Sequence, residues 1–300
     1  MDKRELGNSG LYVSELGLGC MSLPSGQSDA DRIVAAAIDA GITLIDTADL
    51  YDGGANEELV GRALKGRRQD IILATKVGNQ IDPDGKGWTW NPSKKHILEG
   101  AKASLKRLGT DYIDLYQLHG GTMEDDYEET IEAFEQLRKE GLIRQYGISS
   151  IRPNVIERFL SHSSAISVMM QYSMLDRRPE EWFNAVSDQG ASVIARGPLA
   201  KGLLTAEGQG RAERAGAFAA FGQPELTDTV RRLTAESSDL HAAAIRFCLS
   251  DSTVACALAG ARTEEQLTDT LNAYRSAVSD EEIGNLVTLL PKHVYDQHRI

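Results

Sequence analysis

The stretch "ITLIDTADLYD", residues 42–52, opens as an apolar run and ends on a carboxylate, Asp46, and a phenol, Tyr51. Ile42, Leu44 and Ile45 give it the character of a buried strand, where an isolated acid is costly. Short runs of the same kind recur along the chain. They are "LGLGCMS" (16–22), "IILATKV" (71–77), "YIDLYQLH" (112–119), "IRQYGISS" (143–150), "ISVMMQYS" (166–173), "SVIARGPL" (192–199) and "VACALAG" (254–260). With the opening stretch they make eight β-like segments.

Amphipathic helical patterns lie between them. "SDADRIVAAAIDAG" (28–41) offers Ser28 as N-cap and closes on Gly41. "NPSKKHILEGAKASLKRLG" (91–109) sets Ile97, Ala101, Leu105 and Leu108 on one face, with Pro92 near its start and Gly109 after its end. "DDYEETIEAFEQLRKEG" (125–141) repeats the scheme with Ile131, Phe134 and Leu137. Strands alternating with helices predict parallel strands joined by helical crossovers, and eight such units predict a closed (β/α)8 TIM barrel. An N-terminal β-hairpin turning at Asn8-Ser9-Gly10 precedes it. An open doubly wound sheet would need a glycine-rich phosphate turn, and "LGLGCM" does not continue into GxGxxG. No linker-like shift in composition divides the chain, which reads as a single domain over residues 1–300.

Composition narrows the partners. A net charge of −12 is a poor match to phosphate backbones, so nucleic acid is not expected. No stretch reaches the roughly 18 apolar residues of a membrane span, and no signal-like apolar run follows the N-terminus. Cys20, Cys248 and Cys256 show no CxxC spacing, which suits free thiols in a cytoplasmic protein, and no metal-ligand cluster is visible.

In such a barrel the C-terminal ends of consecutive strands lie side by side. Asp46, Lys76 and His119 end the second, third and fourth strands, and Tyr51 follows Asp46 by a short loop. Any one alone is an ordinary polar strand end. Together they have a specific chemistry: Lys76 would lower the pKa of the Tyr51 phenol, Asp46 would balance the lysine, and His119 would orient a substrate oxygen. Such a group is suited to protonating a carbonyl oxygen.

"LIDTADLYDGGANEELVGRAL", "ATK", "YQLH", "YGISS" and "ARGPLAKGLLT" stand in the order seen in aldo-keto reductases. The sequence resembles that superfamily along nearly its whole length, from "RELGNSGLYVSELGLGCMSL" to "GARTEEQLTDTLNAY". The resemblance implies that Asp46, Tyr51, Lys76 and His119 are a catalytic tetrad with Tyr51 as general acid in reduction. It implies NADPH/NADP+ as cofactor and a small-molecule carbonyl substrate, an aldehyde or ketone. Ser149 and Gln171 would meet the nicotinamide carboxamide, although Ser150 and Arg196 stand where many relatives have an asparagine and an aromatic ring. Gly197, Pro198, Leu199, Lys201 and Gly202 would line the pyrophosphate. Gly260, Arg262, Thr263, Gln266 and Thr270 would surround the adenosine 2'-phosphate, with Thr263 to Gln266 forming a capping box at a helix start. The alternative is a nucleotide-binding sensor with little turnover; an intact tetrad favours the enzyme.

Two connections exceed the usual βα loop, residues 78–91 and 205–225. Trp88 and Trp90 in the first either wall a substrate pocket or pack onto the barrel rim. The second, with Phe218 and Phe221, suggests a flap over the cofactor.

Overall fold

A computed structural model of the protein describes residues 1–82 and 85–299. Its eight barrel strands are β1 (Leu16–Gly19), β2 (Leu44–Asp46), β3 (Ile72–Val77), β4 (Ile113–Leu118), β5 (Ile143–Ser149), β6 (Ser167–Gln171), β7 (Ser192–Arg196) and β8 (Val254–Gly260). All pair in parallel in sequence order, and β8 returns to β1 to close the barrel. Each of the eight apolar runs supplies one strand.

The helices between them are α1 (Gln27–Asp39), α2 (Ala55–Ala63), α3 (Lys94–Leu108), α4 (Tyr127–Lys139), α5 (Pro153–Ser161) and α6 (Phe183–Asp188). After β7 come α7 (Gly208–Arg214), α8 (Gln223–Glu236) and α9 (Leu240–Leu249), and after β8 come α10 (Glu264–Arg275) and α11 (Asp280–Thr288). Ser93 caps α3 by accepting from the His96 amide, and Gly109 ends it in the left-handed conformation. The start of α1 differs from expectation. Its N-cap is Gly26 and the helix already includes Ser28, because Gly26 is the last extended residue and the cap makes no side-chain hydrogen bond.

Two apolar layers hold the barrel. One lies between strands and helices and includes Ile45, Leu73, Ile97, Tyr116, Phe134 and Val168. The other fills the interior with Leu44, Ala74, Leu115, Met169, Ile194 and Cys256. The hairpin of Lys3–Glu5 with Tyr12–Ser14 closes the bottom and adds Leu6 and Val13 to that interior.

Both long connections carry structure of their own. Asn79–Ile81 pairs antiparallel with Trp88–Trp90; Pro83 and Asp84, between them, lie outside the described residues. Residues 205–225 contain α7 and a tight pairing of Ala217–Phe218 with Phe221–Gly222, anchored by the buried rings of Phe218 and Phe221.

The helical layer tolerates little change where α2 meets α3. A Cβ at Gly61 would stand 2.5 Å from the Leu108 carbonyl oxygen and 2.7 Å from its Cα, and backbone cannot move aside as a side chain can. Gly61→Ala should therefore lower unfolding stability by about 1–3 kcal/mol, the usual range for overpacking, despite alanine's better helix propensity. A urea midpoint equal to or above that of the wild type would contradict this.

Candidate active site

The interior residues Leu44, Ala74, Leu115, Met169 and Ile194 share a property of strands: the residue two positions on faces the same way. Those next inward positions are Asp46, Lys76, Gln117, Gln171 and Arg196. The apolar barrel interior thus gives way to a polar layer at the C-terminal end. One further step along β4 gives His119.

Within this layer Lys76 Nζ donates to Asp46 Oδ2 at 2.7 Å, to the Thr47 carbonyl oxygen at 2.7 Å and to Tyr51 Oη at 3.3 Å. All three ammonium protons are used, which makes burial of the charge tolerable. Gln117 Nε2 donates to the other Asp46 oxygen at 3.4 Å. The His119 ring stands edge-on to Tyr51, with centroids 6.1 Å apart. Asp46, Tyr51, Lys76 and His119 therefore converge as the sequence predicts.

Tyr51 owes its position to the turn after it. Asp52, Gly53 and Gly54 all have positive φ, at 49°, 64° and 91°, so the chain reverses within three residues before α2 begins. Asp and Gly are residues that adopt this conformation with little strain. From α2, Asn56 donates to the Cys20 carbonyl oxygen at 2.9 Å and accepts from Thr47 Oγ1 at 2.7 Å, tying β1 to the residue whose carbonyl holds Lys76. Glu57 is fully buried, accepting from Thr75 Oγ1 and from Arg107 Nε, each at 2.6 Å. Asn56, Glu57, Arg107 and Gln117 escape a search for strand ends. Gln117 alone carries a signal, polarity at an inward position of an apolar strand, whereas Asn56, Glu57 and Arg107 sit among the many polar residues of amphipathic helices.

The electrostatics correct one expectation. Burial pushes the Tyr51 phenol above its ordinary pKa, and the opposing pull of Lys76 does not overcome it. The phenol is thus protonated at neutral pH rather than poised to ionise. Burial lowers Lys76, but Asp46 and Tyr51 outweigh it, and the ammonium stays charged. Burial, with Lys76 and Arg196 adding to it, pushes His119 down to about 3, so the imidazole is neutral.

The remaining predicted residues lie around the rim. Gln171 Oε1 accepts from Arg196 Nη1 at 3.1 Å, which joins strands β6 and β7. Ser149 is buried at the end of β5, and the neighbouring Ser150 Oγ accepts from the Arg152 amide. The turn after β7 has positive φ at Gly197, Ala200, Lys201 and Gly202. A Cβ at Gly197 would meet nothing within 4 Å, so its backbone faces open space beside Arg196. Pro198 is buried, Leu199 half-buried and Lys201 exposed. After β8, Gly260 is exposed and half of the expected capping box forms: Thr263 Oγ1 accepts from the Gln266 amide, while Gln266 Oε1 accepts from the Arg262 amide rather than from that of Thr263. The Arg262 residue is exposed there. Thr270 points inward instead; its hydroxyl donates to the Gln266 carbonyl and lies 3.3 Å from His241 Nε2. Trp90 packs on the rim, its Nε1 donating to Asp125 at 2.9 Å and its ring close against Gly78 and Gly120. Trp88 stays exposed.

The model of the aldo/keto reductase family matches residues 15–290. The chain belongs to that family. As an aldo/keto reductase it shares 48% identity over the full length of both chains with an uncharacterized oxidoreductase, YqkF, of Bacillus subtilis. It is 34% identical over 67% of its length to an aldo-keto reductase [NADP(+)], yakc, of Schizosaccharomyces pombe, covering 62% of that protein. Among solved structures it resembles aldo-keto reductase AKR11C1 from Bacillus halodurans, each chain covering the whole of the other. The TM-score is 0.93 at 49% identity for the holo form and 0.85 at 46% for the apo form.

Behind Tyr51 sits one more acid. Asp49 Oδ1 is buried without a hydrogen-bond partner among the described residues. Burial, then the neighbouring Glu57, pushes its carboxyl up to about 7 against the pull of Arg107 and Lys76. An acid whose pKa is raised by folding costs stability as pH climbs from its unfolded value, near 4, through about 7. Asp49→Asn removes that cost. Its melting temperature relative to wild type should rise between pH 5 and pH 8; a difference that stays flat or falls would refute the assignment.

Proposed function

We propose that the chain works as one barrel domain, residues 1–300, and catalyses NADPH-dependent reduction of aldehydes and ketones in the cytoplasm with Tyr51 as general acid. The observation that carries this reading is Lys76 joined at once to Asp46 and Tyr51, with a neutral His119 beside the phenol.

A carbonyl oxygen placed between Tyr51 Oη and His119 would receive two hydrogen bonds, one from each. The protonated phenol is the right form for an acid at neutral pH. When it gives up its proton, the phenolate that remains is stabilised by the ammonium 3.3 Å away. Asp46 and the Thr47 carbonyl hold that ammonium in place, so the charge is oriented before the reaction begins. Trp90 on the rim narrows the approach to His119, and exposed Trp88 offers an apolar wall to the substrate.

The residues present fit a nicotinamide dinucleotide. Gly197 leaves its backbone bare towards open space, and the left-handed turn through Gly202 presents main chain and Lys201 together. Ser149, Gln171 and Arg196 would hold the nicotinamide end, and Gly197, Pro198, Leu199, Lys201 and Gly202 the pyrophosphate. Gly260, Arg262, Thr263 and Gln266 would hold the 2'-phosphate at the start of α10, with Thr270 supporting the helix from within. Bound there, NADPH supplies the hydride to the carbonyl carbon. The closer match to the holo form of the Bacillus halodurans relative, and the NADP(+) in the name of the yeast relative, support this reading.

Tryptophan-quenching titrations with NADPH and NADH, followed by turnover of aromatic and aliphatic aldehydes, test it. Tyr51→Phe should bind NADPH as wild type does and lose about 10²–10⁴-fold in turnover. Undiminished turnover in that variant would remove Tyr51 from the reaction, and tight binding without turnover in wild type would favour a sensor. Arg262→Ala should weaken NADPH by about 1–3 kcal/mol and spare NADH, as loss of a charge-assisted hydrogen bond to the 2'-phosphate requires. An equal loss for both nucleotides would rule out a 2'-phosphate contact.

A further inference from the structure

The turn after β6 holds a buried carboxylate that the proposed reaction does not use. Asp176 is 1% exposed. The turn is closed by its own main chain: the Asp176 amide donates to the Ser173 carbonyl at 2.9 Å and the Ser173 amide donates to that of Asp176 at 3.3 Å. The carboxylate is not needed for that closure. It is spent on two side chains instead. Arg178 grips it with Nε on Oδ1 and Nη2 on Oδ2, both at 2.7 Å, and Gln171 Nε2 donates to Oδ2 at 2.9 Å.

A carboxylate only accepts, and this decides which way the Gln171 amide faces. Its NH2 group must point to Asp176, which turns Oε1 to Arg196 Nη1 at 3.1 Å. With the amide reversed, Nε2 would face a guanidinium that can only donate. Arg196 in turn lies close enough to the tetrad that its charge bears on both Tyr51 and His119.

The other end of the chain of contacts is the C-terminal segment. The Arg178 guanidinium stands over the Tyr295 ring, 5.0 Å from its centroid, and that ring is buried. The segment is fastened beside it: Arg299 reaches both oxygens of Glu181 at 2.9 Å, the Tyr295 amide donates to the same carboxylate, and the His298 carbonyl accepts from the Asn154 amide. No shorter route from the C-terminal segment to the polar layer is needed: Tyr295, Arg178, Asp176, Gln171 and Arg196 touch in sequence.

We propose that Asp176 is a positioning residue that sets the sense of the Gln171 amide and so the placement of Arg196 against the nicotinamide end of the cofactor, with Tyr295 holding its counterion Arg178. This deepens the NADPH reading above and rests on it.

The test is a double-mutant cycle read by NADPH affinity, with circular dichroism confirming folded protein. Asp176→Asn should weaken NADPH about 10- to 100-fold in the wild-type background, the range for loosening a hydrogen bond to a charged group. In an Arg196→Met background the same substitution should change affinity by less than about threefold, because the residue it acts through is already gone. Equal losses in both backgrounds overturn the proposal, since a merely structural carboxylate would give additive effects. If Asp176→Asn does not fold, Tyr295 decides the matter. Binding lost in Tyr295→Leu and restored in Tyr295→Phe, which keeps the ring under Arg178, supports the proposal; equal binding by the two variants overturns it. Wild-type protein that binds no NADPH refutes the cofactor reading and this inference with it, and that outcome is read without any variant.

Discussion

A lysine and an aspartate buried together near the top of a parallel barrel set the terms for everything around them. Lys76 and Asp46 are 1% and 3% exposed at their side chains and 2.7 Å apart. Removing either partner would leave an uncompensated buried charge, typically a loss of about 3–5 kcal/mol. The barrel accommodates the pair because neighbouring strands supply the remaining partners: Thr47 and Tyr51 for the ammonium, Gln117 for the carboxylate. A charge held this way cannot relax towards water, so its field is available to whatever lies beside it. Tyr51 and His119 lie beside it.

The support behind that pair explains why so much of the polar chemistry sits in one stretch of chain. The turn at Asp52, Gly53 and Gly54 brings α2 back over the strand ends, and its first residues face inward. Asn56 then braces Thr47, and Glu57 braces Thr75 while taking Arg107 from α3. Gly54 leaves room for that arginine, since a Cβ there would stand 2.9 Å from it. On the opposite side of the barrel, Asp176 and Arg178 do similar work for Gln171 and Arg196. Both sides use a buried carboxylate gripped by an arginine.

Much of this was legible in the chain. Eight apolar runs of strand length separated by helical periodicity correspond one for one to the barrel strands, because a parallel sheet buried on both faces needs near-continuous apolar runs. The cap at Thr263 and the glycine stop at Gly109 were equally local and appear in the structure, whereas the Ser93 cap of α3 was not singled out. Ser28 failed as a cap because the helix starts two residues earlier, on Gly26, without side-chain help. The long connections were visible as lengths and by their aromatic residues; that Trp90 is seated by Asp125 and that Phe218 and Phe221 are buried depends on contacts made in the assembled fold.

The meeting of Asp46, Tyr51, Lys76 and His119 was set by residue type and strand-end position, both of which sequence carries. The direction in which the Tyr51 pKa moves was not, since the effect of Lys76 had to be weighed against burial, and burial is a property of the assembled fold. The same holds for Thr270, which helical geometry turns inward to Gln266 and His241, and for Trp88 and Trp90, which share a strand yet differ in exposure. Sequence alone determined which groups would meet, because period-two strands and consecutive barrel order fix neighbours. Only the tertiary structure decided how those groups are charged, oriented and braced, because desolvation and hydrogen-bond closure depend on atoms brought together from more than a hundred residues apart, as when Tyr295 comes to lie under Arg178.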